Sequence, residues 1–201
     1  MRNTILCRIA LPMLLAGTCL AVTHPPAPRA ARSAAQAAQA DALTTALQKN
    51  LAGVEREFVE TAEAMPADRY SFAPSAAMGD FEGVRTFAQQ VAHVATVNNR
   101  IFAALLGEKM PEAGVQENGP ASLKTKAEIM KYLRDSLALG HRALAAINQQ
   151  NALQTLNQPF GPMTRLQLAA MATNHMNDHF GQMVVYLRMN HIIPPTSRPR
   201  K

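Results

Sequence analysis

Residues 164–190 read Thr-Arg-Leu-Gln-Leu-Ala-Ala-Met-Ala-Thr-Asn-His-Met-Asn-Asp-His-Phe-Gly-Gln-Met-Val-Val-Tyr-Leu-Arg-Met-Asn and form one long helical pattern that ends ahead of Pro194-Pro195. His175 and His179 lie four apart in it. At about 3.6 residues per turn this spacing stacks two imidazoles on one side of a helix, close enough to share a metal ion. Leu168, Met171 and Ala172 precede the pair on the same stripe, and Gln182 and Tyr186 follow it. Two histidines on a largely apolar face need partners, either a metal or a hydrogen-bond network.

Three further amphipathic patterns precede this helix. Leu43, Leu47, Leu51, Val54, Phe58, Ala62 and Met65 recur at three- and four-residue intervals and predict a helix from Asp41 to Met65-Pro66. Asp80 as N-cap predicts a second helix to Leu106 through Val84, Phe87, Val91, Val94, Val97, Ile101 and Leu105, stopped by Gly107. Thr125 and Glu128 form a capping box that opens a third helix through Ile129, Leu133, Leu137, Leu144 and Ile147 to about Asn148. No run of alternating β-branched residues suggests a strand. The fold expected is all-α, an antiparallel four-helix bundle with long connections.

The first forty residues differ in character. Arg2 and Arg8 flank the start of an apolar run from Ile5 to Val22, followed by Pro-rich and then Ala/Gln-rich sequence ending in Ala-Gln-Ala at 38–40. This is a secretory pattern, and residues 1–40 are read as a signal peptide, with retention as an N-terminal membrane anchor the alternative. The domain is then 41–195, followed by a basic tail, 196–201. A periplasmic or secreted location follows. Both cysteines, Cys7 and Cys19, fall in the leader, which leaves the domain without disulfides, thiolate ligands or cysteine nucleophiles. The leader also holds four of the twenty Lys and Arg and none of the acids, so the formal charge falls from +6 to sixteen basic against fourteen acidic groups, +2. That near-neutral balance argues against a nucleic-acid partner.

His93 lies on the second helix between Val91 and Val94 and could project toward the fourth. With His175 and His179 it would make a three-histidine site with an open position for water or substrate, the arrangement of catalytic zinc sites; nickel, iron and manganese also accept imidazole. The other reading is that each is a hydrogen-bonded core residue. His141 flanks the apolar stripe of its helix and is expected to be solvated, and Asn190-His191 is expected to cap the last helix. Asp178 points about 100° away from His179 around the helix and is given a surface or inter-helix role. Gln182 is the candidate to support the site by a hydrogen bond or to face substrate.

His175-x-x-x-His179-x-Gly181-Gln182, followed by Tyr186-Leu187-Arg188 and Ile192-Ile193-Pro194-Pro195, resembles the C-terminal signature of the DinB/YfiT-like superfamily of four-helix bundles. Tyr70-Ser71-Phe72-Ala73-Pro74 and His93 are similar to its two other marks, so the likeness spans 41–195. The resemblance implies that His93, His175 and His179 are a metal triad. It implies a divalent ion, zinc or nickel most often and iron or manganese sometimes, and frequent homodimers. Tyr70 and Tyr186 join Gln182 as residues expected near the site. Branches of this superfamily are thiol-dependent transferases of the cytoplasm, from which a leader would separate this chain. Three functions remain open: a metal-dependent hydrolase using a metal-activated water on an unidentified small molecule, a non-catalytic metal- or ligand-binding module, and a metal-dependent thiol transferase. No general base is apparent on the histidine face of the last helix.

Overall fold

The computed structural model describes residues 29–111 and 116–199. Four helices, α1 (Arg29–Ala64), α2 (Phe87–Leu106), α3 (Lys126–Ala145) and α4 (Arg165–Met189), make up most of it, with a small hairpin of β1 (Thr155–Gln158) and β2 (Gly161–Thr164). Most of the segment read as a leader, residues 1–28, lies outside the described residues, as do the last two residues of the tail. Residues 29–40 are helical and continue into α1, so the helix starts well before the expected Asp41. Their Ala-rich composition accounts for this, since alanine has the highest intrinsic helix propensity. Among the described residues no helix is long and apolar enough to cross a membrane.

The apolar stripes fill one core. Leu51, Phe58 and Met65 of the α1 segment, Phe87, Val91 and Phe102 of α2, Leu133, Leu137 and Leu144 of α3, and Leu168, Met176 and Leu187 of α4 are all buried. Each such side chain contributes about 1.5–3 kcal/mol by leaving water. Met176 and Leu187, flanking the histidine stripe of α4, are taken up inside the bundle, while Val185 is half exposed.

Hydrogen bonds between helices fix their directions. Thr44 Oγ1 donates to Ile147 O just past α3, and Lys126 at the start of α3 donates to Glu63 O and Met65 O, so α1 and α3 run antiparallel. Thr96 meets Tyr132, Asn98 meets Ser136, and Glu108 meets Arg142, so α2 and α3 run parallel. Gln90 meets Gln182 and Arg165 reaches Leu105 O, which makes α2 and α4 antiparallel. Asn50 meets Thr173 and Arg69 meets Asn190 O, which makes α1 and α4 parallel. The bundle is therefore up-down-down-up, with two of its four neighbouring pairs antiparallel. The consequence is geometric: because α2 and α3 run the same way, the connection between them must travel back along the bundle as a strap, whose described parts are residues 107–111 and 116–125. Two parallel helices cannot be joined by a tight turn.

α2 begins at Phe87, not at Asp80. Gly83 has φ 74°, a left-handed conformation that ends any helix started upstream, and Thr86 with Gln89 forms the capping box in use. The carbonyls of Tyr70 and Phe72 accept from Ala88 N and Phe87 N, so the aromatic segment ahead of α2 satisfies its first free N–H groups. The capping boxes Thr125/Glu128 and Thr164/Gln167 open α3 and α4 where the sequence suggested. At the other end of α4, His191 has φ 60°, Ile192 N donates to Leu187 O and His191 N to Arg188 O, a Schellman closure with histidine in the usual glycine place. The hairpin departs from the expectation of no strands. It pairs Thr155 with Thr164 and Gln158 with Gly161 across the Pro159-Phe160 turn, and its second strand runs directly into α4.

Candidate metal centre

α2 delivers His93 and α4 delivers His175 and His179 to one point. Their ring centroids lie 5.0, 4.9 and 4.5 Å apart in pairs, and one nitrogen from each falls within 4.8 Å of the others. His93 and His179 are 8% and 5% exposed, and His175 is at the edge. Among the described residues this is the one cluster of His, Cys, Asp or Glu able to hold an ion.

The remaining ring nitrogens decide which lone pairs are free. His93 Nδ1 is 2.8 Å from Glu117 O on the strap; a carbonyl only accepts, so Nδ1 carries the proton and Nε2 the lone pair. For His179 the polarity is set at the surface. Asp178 Oδ2 accepts from Gln182 Nε2 at 3.2 Å, Gln182 Oε1 accepts from Gln90 Nε2 at 2.8 Å, and Gln90 Oε1 accepts from His179 Nδ1 at 2.5 Å. A carboxylate can only accept, so every link in this chain is oriented and Nε2 of His179 keeps its lone pair. His175 Nε2 lies 3.2 Å from His93 Nε2, while its buried Nδ1 has no partner among the described residues.

All three rings are held neutral. Burial pulls His175 down to about 4, helped by the neighbouring His93. Burial likewise pulls His179 to about 4, with His175 and His93 adding to it. Burial lowers His93 as well, against the support of the Glu117 carbonyl, with Arg85 and Arg100 lowering it further. Neutral imidazole is the form that ligates metals. The donor set fits a divalent ion: ligands about 2.0–2.1 Å from a tetrahedral zinc stand about 3.3 Å apart, close to the separation of the His93 and His175 nitrogens.

The DinB superfamily profile matches residues 50–183, two thirds of the chain. The chain belongs to the DinB superfamily. Two solved structures share this DinB fold. A DinB-like protein from Bacillus cereus is 16% identical with a TM-score of 0.55, over 71% of this chain and 89% of that one. A DinB-like protein from Bacillus subtilis is 18% identical with a TM-score of 0.53, over 77% of this chain and 99% of that one. No curated protein matches the chain.

Within this DinB bundle the other expected residues have separate fates. Gln182 is in the hydrogen-bond chain to His179. Tyr186 donates to Arg85 O at 2.9 Å and packs edge-on against Phe72. Tyr70 is buried against Phe87 and donates to Ala62 O at 2.7 Å; burial above all, with Glu63 nearby, raises its pKa well above the ordinary tyrosine value. Both tyrosine hydroxyls are thus committed to backbone carbonyls rather than to the histidines. His141 is not simply solvated: Nδ1 meets Gln48 Oε1 at 2.7 Å and Nε2 meets Glu55 Oε2 at 2.6 Å, bridging α3 to α1.

Gln90 and Glu117 are participants that sequence reasoning missed. Gln90 is three residues before His93 on α2, and that spacing was the available signal. Glu117 acts through its backbone, so its identity carried no signal. Asp178, assigned to the surface, is exposed as expected, yet it also anchors the hydrogen-bond chain. With His175, Asn174, Gln167, Met171 and Met163 it lines an open hollow of about 550 Å³, one wall of which is the unexpected hairpin.

Proposed function

We propose that this DinB-superfamily protein is an exported metal-dependent hydrolase of a small molecule, with zinc or nickel held by His93, His175 and His179. The observation that carries the reading is the convergence of one nitrogen from each of three imidazoles to within 4.8 Å of one another, a set of three ligands that would leave a four-coordinate ion one open position. A divalent ion so held acts as a Lewis acid and brings the pKa of a water near 7. The chain's own residues would do the rest. The His175 hollow gives a substrate an approach with an apolar wall of Met163 and Met171. Asp178 stands at its rim, a carboxylate able to take a proton from an attacking water and already oriented by Gln182. The leader pattern supports export and so argues against a transferase that needs cytoplasmic thiols.

The test begins with elemental analysis of the untagged full-length protein, followed by a screen of the loaded protein against esters, amides, lactones and phosphoesters. Turnover abolished by His175→Ala, and reduced about 100-fold or more by Asp178→Asn with the metal retained, is the expected result. Stoichiometric metal without turnover would replace the hydrolase by a metal-binding module. Protein that takes up no ion would remove the site itself.

A further inference from the structure

The strap is held against α2 at the level of the metal centre, and a residue outside the histidine cluster holds it. Gly119 lies flat on α2 with φ 87°, and a Cβ there would stand 2.9 Å from Ala92 Cβ, the residue next to His93. Two positions earlier, Glu117 presents its carbonyl to His93 Nδ1. Arg85, just ahead of the α2 cap, reaches across to this part of the strap: Nε donates to Asn118 Oδ1 at 2.7 Å and Nη2 to Glu117 Oε2 at 3.2 Å. The base of Arg85 is fixed in turn, because its own carbonyl accepts from Tyr186 on α4. One arginine therefore joins α4, the α2 cap and the strap.

We propose that Arg85 is a positioning residue for the metal centre: by pinning Glu117 and Asn118 it holds the strap carbonyl that orients His93. This rests on the three histidines binding a divalent ion. Groups that orient a ligating histidine through its second nitrogen commonly change metal affinity about 10- to 100-fold when lost. Loss of Arg85 should therefore weaken the ion's hold although no ligand is touched.

The sign of the effect separates this role from a simple charge effect. A guanidinium beside the histidines disfavours added positive charge there, as its downward pull on all three pKa values indicates. Were charge its whole influence, Arg85→Gln would bind a divalent cation more tightly. Positioning demands the opposite. The Arg142 to Glu108 pair, which holds the far end of the strap, provides a control.

The experiment measures Co²⁺ affinity of the metal-free full-length protein by chelator competition, following the ligand-field spectrum, alongside its thermal midpoint. Arg85→Gln is expected to weaken Co²⁺ at least tenfold with the metal-free midpoint little changed, and Asn118→Ala to weaken it in the same direction, while Arg142→Gln stays within twofold of wild type. Affinity equal to or tighter than wild type in Arg85→Gln overturns the proposal and leaves the three-histidine site standing. If Arg85→Gln does not fold, Asn118→Ala decides by the same criterion. A wild type that binds no Co²⁺ overturns both.

Discussion

Two histidine sites in this bundle are built from the same side chain and come out with opposite chemistry. At His141 both ring nitrogens face acceptors, Gln48 Oε1 and Glu55 Oε2. Gln48 cannot turn to offer its amide nitrogen, because Nε2 already donates to His141 O. With a partner at each nitrogen, that ring is complete as it stands. In the three-histidine centre the outer nitrogens of His93 and His179 find acceptors, while the inner ones face other imidazoles. One nitrogen from each ring lies within 4.8 Å of the others, where a single cation could take all three lone pairs. The groups facing the ring nitrogens, together with burial, separate the helix-bridging His141 from the three candidate ligands.

The largest effect that could break this contrast is on metal content. His93→Ala or His175→Ala should reduce bound ion from near one per chain to near none, whereas His141→Ala should keep it, all read by elemental analysis. Retention of metal in both of the first two variants would end the distinction.

Next is chelation. An ion at about 1,000 times its Kd stabilises the folded state by about 4 kcal/mol, which for a domain of this size is a shift of roughly 10 °C in thermal midpoint. Removing the ion should lower the midpoint of wild type and of His141→Ala alike, and leave that of His175→Ala unmoved.

The metal-free protein should also lose stability on acidification. His175 and His179 are lowered to about 4 when folded, against 6.5 ordinarily. Between those values the unfolded chain binds more protons, so the stability they contribute is complete above pH 6.5, falls as pH drops toward 4, and levels off below it. Urea unfolding at a series of pH values would read this slope, and His175→Gln should flatten it. The smallest effect expected is that of His141→Ala, about 1 kcal/mol by urea unfolding. Its ring is 37% exposed, so solvent weakens the Glu55 pair.

What the sequence disclosed about this molecule was local. The Thr125/Glu128 box that starts α3, and the His-x-x-x-His spacing, are contained within one or two helical turns and were readable. The start of α2 was equally local but obscured, since Asp80 offered a plausible cap six residues before the Thr86/Gln89 box, and only the backbone at Gly83 chooses between them. The hairpin escaped because Thr-Leu-Asn-Gln and Gly-Pro-Met-Thr carry little strand propensity; their pairing and attachment to α4 hold them. His141 was misjudged because its partners are 86 and 93 positions away. The three histidines were legible as candidates, but the groups orienting them were not. Arg85, Gln90 and the Glu117 carbonyl acquire their roles only once the strap is laid along α2.

His93 and His175 are 82 positions apart, and all of α3 and the hairpin lie between them. A bridge between those two residues would close a covalent-like loop through half of the domain. In the chain-entropy description a permanent link of that span removes roughly 4–5 kcal/mol of freedom from the unfolded chain. The only cysteines are Cys7 and Cys19, so no disulfide can supply such a link within the bundle. A coordinated ion would be its reversible counterpart, keeping α3 and the hairpin within a loop closed at α2 and α4 for as long as the ion stayed bound.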